Sequence, residues 1–500
     1  MAGFTDLVDL ASQRLGGIAL FSNDDFFAPK ENLLKPEPAV FIPDRYTDRG
    51  KWMDGWESRR RRTEGHDFCV VKLGLPGAIR GIDVDTSHFT GNFPEAASLE
   101  GAEAPEGAAL EALGTAEVPW IEILPRTDLK GGVHNLFEIP SRRRFTHVRL
   151  HIYPDGGVAR LRVHGDVSAD WRALSSRKEP VDLCALENGG LVLASSDAYF
   201  GSHQNLLMPG RAAGMKDGWE TKRSRRPGFD WVVVRLGTRG HVTRAEIDTS
   251  FFKGNFPDGA SLEVCDEPCA EAAALTEPSR EWRPLLPLTK LQADTRHFFE
   301  TELVPDEPAT HVRLRIYPDG GVSRLRLFGL PSIPAAVERL NAASREGALS
   351  TLTALCGSRK FPSKVEEGNR PFASERDLLR AVEDAFEEMT LEDWLEAFRA
   401  HPRIGDRAAA AAAGSAASEQ AAALSAPSAI LDRLRTANGE YEKRFGHIFI
   451  VCASGQSAES LLANIESRLG NAPDAELEVA ANEQRKITRL RLAKFLAEAA

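Results

Sequence analysis

The sequence predicts a multidomain protein in which two tandem antiparallel β-sandwiches of the jelly-roll kind precede an all-α domain. Two observations carry this prediction. A unit of about 160 residues occurs twice in the first two thirds of the chain, and its short apolar runs indicate β-strands. Beyond residue 335 the apolar residues change to helical spacing. We therefore expect domains at residues 1–165, 166–332 and 335–500.

Three separated blocks establish the duplication. Residues 146–165 recur as residues 310–329 with 16 of 20 positions identical, and residues 85–100 recur as residues 248–263 with 12 of 16 identical. The tetrapeptide Asp-Gly-Trp-Glu begins at residue 54 and again at residue 217. Because all three blocks keep the same offset to within one position, each copy is a whole domain rather than a short solenoid repeat.

Within each copy the apolar pattern is that of short strands. Residues 68–73 and 231–236 are rich in β-branched and aromatic side chains, whereas residues 148–153 and 158–163 alternate apolar with polar positions. Residues 154–157 (Pro-Asp-Gly-Gly) separate the last two runs, and their turn chemistry predicts a tight hairpin. Many short strands joined by turns favour a sandwich.

The last third contains helix start signals. Ser374 and Thr390 are each followed three residues later by Asp, which is the pattern of a capping box, and apolar residues follow at helical spacing. The segment from about residue 476 to residue 499 also predicts a helix, and an Ala-rich stretch at residues 408–423 favours helix weakly.

Composition limits the possible functions. The net charge is −11, from 62 basic and 73 acidic side chains, so the composition gives no support to nucleic-acid binding, which normally needs a basic face. Six scattered cysteines indicate a reducing compartment, no run is long enough to span a membrane, and the start does not have the pattern of a signal peptide. We expect a cytoplasmic protein with no nucleic-acid partner, no membrane partner and no metal site.

Long motifs in the N-terminal unit point to a known family. They include residues 21–27 (Phe-Ser-Asn-Asp-Asp-Phe-Phe), the two Asp-Gly-Trp-Glu blocks, the Gly-Asn-Phe-Pro blocks and the Ile-Tyr-Pro-Asp-Gly-Gly blocks. Through these motifs the N-terminal two thirds of the chain resemble allantoicase. The resemblance implies galactose-binding-like sandwiches and the hydrolysis of allantoate to ureidoglycolate and urea.

Allantoate hydrolysis needs an acid for the departing urea, a base for water and a cation for the carboxylate. The polar candidates in the two copies are Asp54, Glu57, His134, Asp217, Glu220 and His297. His134 and His297 keep the same offset as the two Asp-Gly-Trp-Glu blocks, which favours function over accident. Asp155 and Asp319 precede Gly-Gly and are interpreted as turn formers. Either copy can have lost its site.

The helical third carries motifs of its own. They are Cys356-Gly-Ser-Arg, Asp393-Trp-Leu-Glu-Ala-Phe, His401-Pro-Arg-Ile-Gly, Ser418-Glu-Gln and Arg468-Leu-Gly-Asn. Through them this third resembles 2-oxo-4-hydroxy-4-carboxy-5-ureidoimidazoline (OHCU) decarboxylase. The resemblance implies an all-α fold, no cofactor and the decarboxylation of OHCU to S-allantoin.

The same resemblance implies the site residues of this third. His401 is the expected proton-transfer group, Glu419 relays a second proton, and Arg491 anchors an anionic oxygen. Further substrate contacts are expected from Pro402, Ala416, Ser418, Gln420, Phe449, Ile450, Val451, Cys452 and Ala453. Ala416 departs from the family, which usually has Ser there, so a backbone group or a neighbouring hydroxyl is the candidate to replace that contact.

Two alternatives to a bifunctional enzyme stay open at this point. The sandwich pair could be a non-catalytic ligand-binding module attached to an active decarboxylase, since sandwiches of this kind often bind sugars. The helical part could be a non-catalytic oligomerisation domain. The expected partners are small ureide substrates, allantoate and OHCU, together with further copies of the chain in a homo-oligomer.

Overall fold

The fold is given by a computed structural model, which describes residues 3–105, 107–115, 118–139, 143–224, 227–304, 307–367, 370–404 and 427–498. The chain divides into two compact units. The N-terminal unit consists of Met1–Asp266 and Ala272–Pro331, and the C-terminal unit consists of Glu267–Glu271 and Ser332–Ala500.

The first repeat is an antiparallel β-sandwich built around one long strand, β6. Its strands β1 to β12 are, in chain order, Val8–Asp9, Ile18–Ser22, Tyr46–Thr47, Gly50–Lys51, Trp56–Glu57, Asp67–Asp85, Ala96–Ala102, Ile121–Asp128, His134–Glu138, Arg144–Tyr153, Gly157–Val158 and Arg160–Val167. Residues 67–72 of β6 pair with β2 and β10, whereas residues 77–85 pair mainly with β12 and β9. β6 therefore belongs to two layers, β2-β6-β10-β7-β8 and β1-β12-β6-β9.

The second repeat has the same topology. Its strands β13 to β22 are Val181–Asp182, Leu191–Ser195, Trp219–Glu220, Asp230–Asp248, Gly259–Cys265, Arg283–Lys290, Arg296–Phe299, Ala309–Tyr317, Gly321–Val322 and Arg324–Pro331. The order β13-β22-β16-β20-β17-β18, with β14 and β19 also paired to β16, matches the first repeat strand for strand. Two short helices accompany these strands, α1 (Trp171–Ser176) and α2 (Ala272–Thr276).

Alternation along the strands separates core from surface. In β12 Leu161 and Val163 are fully buried, as are Ile82 and Val84 in the second half of β6. The residues between them point away from the core, because successive side chains of a strand face opposite sides. This outward face of the β1-β12-β6-β9 layer is polar, and it carries the candidate site described below.

Residues 154–157 do not form the predicted hairpin. In the described ladder β10 and β12 are not paired with each other, because β6 lies between them. The segment therefore carries the chain from one layer to the other. Asp155 accepts the backbone N–H of Arg61 at 2.7 Å, and Asp319 accepts that of Ser224 at 2.7 Å. Both carboxylates thus fasten a neighbouring loop to this crossover.

The C-terminal unit is all-α in its described residues, as predicted. Its helices α3 to α10 are Ala335–Ala342, Arg345–Cys356, Lys360–Glu366, Glu375–Glu387, Leu391–Arg399, Ser428–Phe445, Ala458–Arg468 and Pro473–Ala497. Ser374 and Thr390 cap α6 and α7 as predicted, and the capping box at Thr390 is reciprocal. The Ala-rich stretch at residues 408–423 lies in the segment 405–426, outside the described residues. No helix in the described part of the chain combines the length and apolar character needed to cross a membrane.

Candidate active sites

A cavity of about 620 Å³ lies between the two repeats of the N-terminal unit. The first repeat contributes side chains from β1, β6 and β12 and from a 3-10 turn, Gln13–Leu15. The polar lining residues are Thr5, Asp6, Asp9, Ser12, Arg14, Asp83, Arg162, His164, Ser202, His203 and Gln204. Its concave shape and convergent polar groups are those of a site for a small polar ligand.

Strand pairing brings the first-repeat residues of this cavity together. Asp9 lies opposite His164 in the β1–β12 pair, and Asp83 lies opposite Arg162 in the β6–β12 pair. Opposite residues share a face of the sheet, and alternate residues of one strand return to that face. The four side chains therefore project from the outward face of one layer. His134 of β9 lies opposite Asp85 and joins the same face.

Asp83 and His134 form an acid–base pair at this face. His134 Nδ1 lies 2.7 Å from Asp83 Oδ2, and the buried Oδ1 has no hydrogen-bond partner among the described residues. Burial raises the pKa of Asp83, and the hydrogen bond to that carboxylate raises the pKa of His134. Because the His134 side chain is 61% exposed, the pair can exchange protons with solvent.

Asp83 lines the cavity and His134 lies beside it, whereas two other imidazoles, His164 and His203, line the cavity itself. His164 Nδ1 lies 2.9 Å from the carbonyl oxygen of Leu7, which can only accept. Nδ1 therefore carries the proton, and Nε2 of the neutral ring keeps a lone pair. His203 Nδ1 lies 2.9 Å from Ser195 Oγ, and burial lowers the pKa of His203. The part of the chain that the structure describes contains no group of three or more His, Cys, Asp or Glu placed to hold a metal ion.

His297 is not the structural counterpart of His134, although the two keep the offset of the matched blocks. In each repeat the turn before this strand, β9 or β19, is bonded to a threonine of the matched block, Thr86 or Thr249. The sequence separation between that threonine and the turn is one residue shorter in the second repeat than in the first. Asn135 Oδ1 accepts the N–H of Lys130 at 2.9 Å, and His297 Nε2 accepts the N–H of Gln292 at 2.8 Å. His297 thus occupies the place of Asn135, so the equal spacing of the two histidines does not mark equivalent positions in the two repeats.

The second repeat replaces the acid–base pair by a permanent ion pair. The two positions are taken by Glu246 and Arg296, whose Oε1 and Nε atoms lie 2.6 Å apart, with a second contact at 3.0 Å. The hydrogen bond to Glu246 raises the pKa of Arg296, so this pair keeps its proton at neutral pH. The position of His164 is taken by Phe328. Among the described residues, the titratable cluster therefore belongs to the first repeat.

The predicted candidates Asp54 and Asp217 form ion pairs with the buried arginines Arg160 and Arg324. Asp54 Oδ2 is 2.7 Å from Arg160 Nη2, and Asp217 Oδ2 is 3.0 Å from Arg324 Nη2. Burial alone would raise the pKa of each carboxyl, but hydrogen bonds from arginine and backbone N–H groups outweigh it and the net pKa is lowered. The same pair in both repeats fastens the Asp-Gly-Trp-Glu segment to the start of β12 or β22.

The predicted candidates Glu57 and Glu220 each accept a side-chain amide. Glu57 Oε1 lies 2.6 Å from Asn92 Nδ2, and Glu220 makes the same contact with Asn255. Burial raises the pKa of Glu57. Neither glutamate is among the described residues that line the cavity between the repeats. Each belongs to a two-stranded ladder, β5–β11 or β15–β21, and connects it to the Gly-Asn-Phe-Pro loop.

The helical unit contains a smaller cavity that includes His401. Its lining residues are His401, Pro402, Ile404, Phe449, Ile450, Val451, Cys452, Ala453, Ser454, Ile487 and Leu490. The structure thus brings His401 and Pro402 together with the whole predicted segment 449–453. Helix α7 ends at Arg399, and the N–H of His401 donates to the carbonyl of Phe398 at 3.1 Å, so the imidazole follows the helix end closely.

Buried polar contacts hold the segment 449–453 in place. Arg468, the last residue of α9, donates to the carbonyl of Ile450 at 2.9 Å and pairs with Glu476 of α10 at 2.6 Å. Glu483 of α10 accepts the N–H of Cys452 at 2.8 Å. The backbone that lines the cavity is therefore fixed from two helices, which suits it to present N–H and C=O groups to a ligand.

Arg491 lies one residue beyond Leu490 on α10 and lines a neighbouring cavity rather than the one that contains His401. Arg491 Nη1 is 3.4 Å from the carbonyl oxygen of Leu355. The remaining predicted site residues, Ala416, Ser418, Glu419 and Gln420, lie outside the described residues. The structure therefore brings together one part of the predicted decarboxylase site.

Sequence reasoning missed Asp83, His164 and His203. A usable signal was nevertheless present in the duplication. Asp83 becomes Glu and His164 becomes Phe in the second copy, whereas residues that serve the fold, such as Arg160, recur unchanged. Differences between the copies point to the site, and the candidates selected because they recur in both copies include residues that hold the fold together.

The family model for the allantoicase repeat matches residues 8–168 and 181–332. The chain belongs to the allantoicase family. Among its relatives, "Probable allantoicase 1" of Burkholderia mallei is 53% identical over 322 residues, which cover 64% of this chain and 94% of that protein. "Probable allantoicase" of Rhizobium meliloti is 48% identical over 334 residues, which cover 65% of this chain and 95% of that protein.

Solved structures and a second family model complete the comparison. Allantoicase from Saccharomyces cerevisiae is 34% identical, with 64% of this chain and 92% of that chain covered and a TM-score of 0.54. The OHCU decarboxylase family model matches residues 341–493. A crystal structure of OHCU decarboxylase in the presence of (S)-allantoin is 34% identical over 31% of this chain and all of that chain, with a TM-score of 0.27. Allantoicase repeats, which are hydrolase domains, thus precede an OHCU decarboxylase domain, which is a lyase.

Proposed function

We propose that this chain is a bifunctional enzyme of urate and allantoin catabolism, which hydrolyses allantoate to ureidoglycolate and urea and decarboxylates OHCU to S-allantoin. The Asp83–His134 pair beside the cavity between the repeats carries the first activity. We assign residues 1–165 and 166–332 to the two repeats and residues 335–500 to the decarboxylase. Six free cysteines support a cytoplasmic location, and consecutive exposed apolar side chains at residues 40–42 support a homo-oligomer.

Allantoate hydrolysis breaks the bond between the central carbon and one ureido nitrogen. The electron pair of that bond passes to the nitrogen, which must gain a proton to leave as urea. His134 supplies this proton, because the hydrogen bond to Asp83 raises its pKa and so favours the protonated ring. The exposed ring is then protonated again from solvent.

The water that completes the reaction bonds through oxygen to the same carbon and must lose a proton. His164 is the base in this scheme, since the contact of Nδ1 with the Leu7 carbonyl leaves Nε2 to accept a proton and the ring projects from the same face as Asp83. One water is consumed and one urea is released, and the two protons move through two different imidazoles.

The second repeat serves mainly as the opposite wall of the cavity. Ser202, His203 and Gln204 come from it, whereas its own counterpart of the acid–base pair is the Glu246–Arg296 ion pair. Binding of a ligand alone does not require groups that exchange protons, and the first repeat has such a pair where the second repeat has an ion pair. This difference favours an enzyme over the non-catalytic binding module.

Two matched histidine variants of the full-length protein test this assignment. His134→Asn removes the proton donor, and kcat for urea release from allantoate falls by about 10²- to 10⁴-fold. His297→Asn introduces the residue that the first repeat uses at the equivalent turn, and it keeps the wild-type rate. Equal rates in the two variants would remove His134 from the mechanism.

In the helical domain we place His401 as the proton-transfer group. Loss of CO₂ breaks the bond between the carboxyl carbon and the hydroxyl-bearing ring carbon, and its electron pair passes through the adjacent C=N bond to the ring nitrogen, which takes a proton. The neighbouring, ureido-bearing carbon then takes a proton on one face, which gives the S product, while the hydroxyl group loses its proton and becomes the ring carbonyl. Glu419 relays the second proton and Arg491 anchors an anionic oxygen. The ring contacts Pro402, Ala416, Ser418, Gln420 and the backbone of residues 449–453.

Circular dichroism of the allantoin formed from OHCU tests this half of the proposal. His401→Ala slows the formation of S-allantoin by about 10²- to 10⁴-fold, because a positioned proton-transfer group contributes that much. Urea release from allantoate by the same preparation stays at the wild-type rate and shows that the protein is folded. Formation of S-allantoin at an unchanged rate would exclude His401 as the proton-transfer group.

A further inference from the structure

We propose that Arg14 binds the carboxylate of the anionic substrate in the cavity between the repeats; this inference rests on the proposed hydrolysis of allantoate. Arg14 lies in the 3-10 turn Gln13–Leu15 and lines the cavity, and its side chain is 34% exposed. Its guanidinium pairs with the carboxylate of Asp217, which belongs to the second repeat. Arg14 thus connects the two walls of the cavity through a carboxylate.

Asp217 does not depend on Arg14 for its charge compensation. Arg324, whose side chain is 2% exposed, holds Asp217 at 3.0 Å, and the backbone N–H of Ala213 donates to it at 3.0 Å. When Arg14 turns to a substrate carboxylate, the Asp217 charge remains paired. The exchange of one carboxylate for another therefore leaves no buried charge without a partner.

The contact across the repeats is not required by the fold. In the first repeat the matching carboxylate, Asp54, takes its third contact from Lys35 of its own repeat at 3.1 Å. The Gly-Gly pairs at residues 16–17 and 189–190 align Arg14 with Glu187 in the second repeat. Arg14 therefore departs from the repeat pattern in charge and in partner, as the titratable cluster of the first repeat does.

Arg162, the other arginine among the described lining residues, is committed to the fold. Arg162 Nη1 lies 3.3 Å from Asp9, and its guanidinium donates to two backbone carbonyls. Its counterpart Arg326 lies 3.4 Å from Asp182 and also donates to backbone carbonyls. A guanidinium that is fastened in the same way in both copies is structural, so Arg14 is the lining arginine with an exchangeable partner.

This arrangement selects a class of substrate. A guanidinium binds a carboxylate through two parallel hydrogen bonds, which fixes the orientation of the ligand as well as its charge. Arg14 and Asp83 line the same cavity. When a substrate carries its carboxylate on the carbon whose C–N bond breaks, the carboxylate can bind Arg14 while the ureido nitrogen approaches the side of the cavity at Asp83. Small α-ureido acids meet this requirement, and uncharged esters do not.

The test measures urea release from allantoate and from its uncharged methyl ester by the full-length protein. Arg14→Met raises KM for allantoate by about tenfold to a hundredfold, because a hydrogen bond between charged groups is lost. KM for the ester changes by less than about twofold, because the ester never used that charge. Arg14→Lys keeps the positive charge but cannot donate the two parallel hydrogen bonds of a guanidinium, so it gives an intermediate KM for allantoate.

Lys35→Met is the matched control, since it removes the equivalent third contact at Asp54, and it keeps the wild-type KM for allantoate. A wild-type KM in Arg14→Met, or an equal rise in KM for acid and ester, would overturn the role of Arg14. Wild-type protein that releases no urea would instead overturn the proposed hydrolysis itself.

Discussion

Burial of the Asp83 carboxylate destabilises the fold, and an aspartate stands at this position in the first of the two copies. It is 6% exposed, and among the described residues its Oδ1 atom has no hydrogen-bond partner. Burying a charged group without full compensation is unfavourable, and the second copy avoids that cost with Glu246 and Arg296. A buried group with a shifted pKa next to a cavity is typical of a functional site.

The pH dependence of urea release tests the link between Asp83 and His134. The hydrogen bond to Asp83 raises the pKa of His134, and activity needs the protonated ring. On the alkaline side, activity is therefore lost as the pH rises through the pKa of His134. In Asp83→Asn a neutral amide no longer raises the pKa, so the alkaline limb of kcat moves to lower pH. An unchanged limb in Asp83→Asn would contradict this role.

Residues differ in how far sequence alone can assign them. The resemblance to OHCU decarboxylase predicted His401, Pro402 and the segment 449–453 as site residues, and these line one cavity. Asp83 and His134 are 51 residues apart in sequence, and they come together only because β6 pairs with β9. No local sequence pattern therefore predicts their contact. Recurrence in both copies selected Asp54, whose buried ion pair serves the fold.

At the scale of elements, strand pairing decides what local chemistry cannot. The Pro-Asp-Gly-Gly segment has the composition of a hairpin, yet β10 and β12 pair with different parts of β6. A turn signal fixes the direction of the chain but not the partner of the strand that follows. The helices were more predictable, because capping at Ser374 and Thr390 depends only on residues three positions away.

The packing of α9 on α10 can be tested through its buried ion pair. Arg468→Met leaves the fully buried carboxylate of Glu476 without its cationic partner, and the free energy of unfolding of the helical domain falls by about 3–5 kcal/mol. The double variant Arg468→Met/Glu476→Met recovers most of that loss, because no charge then remains buried. Chemical denaturation followed by circular dichroism at the helix band measures both. A single variant as stable as the wild type would contradict the account.

At the scale of the whole molecule, duplication and divergence explain the N-terminal unit. Both repeats keep the same sheet order and the same Asp–Arg ion pairs. They differ in the side chains at the cavity between them, where the first repeat contributes titratable groups. The two family models divide the chain between a hydrolase and a lyase of one pathway. The sequence predicted this organisation because long motifs survive in each part.

The central claim is that allantoate binds and reacts in the cavity between the repeats of the allantoicase half. A crystal structure of the slow His134→Asn variant soaked with allantoate tests it most directly. The account predicts allantoate in that cavity, with its carboxylate on Arg14 and one ureido nitrogen beside residue 134. Allantoate bound elsewhere, for example beside Glu57 or Glu220 with the cavity empty, would contradict it.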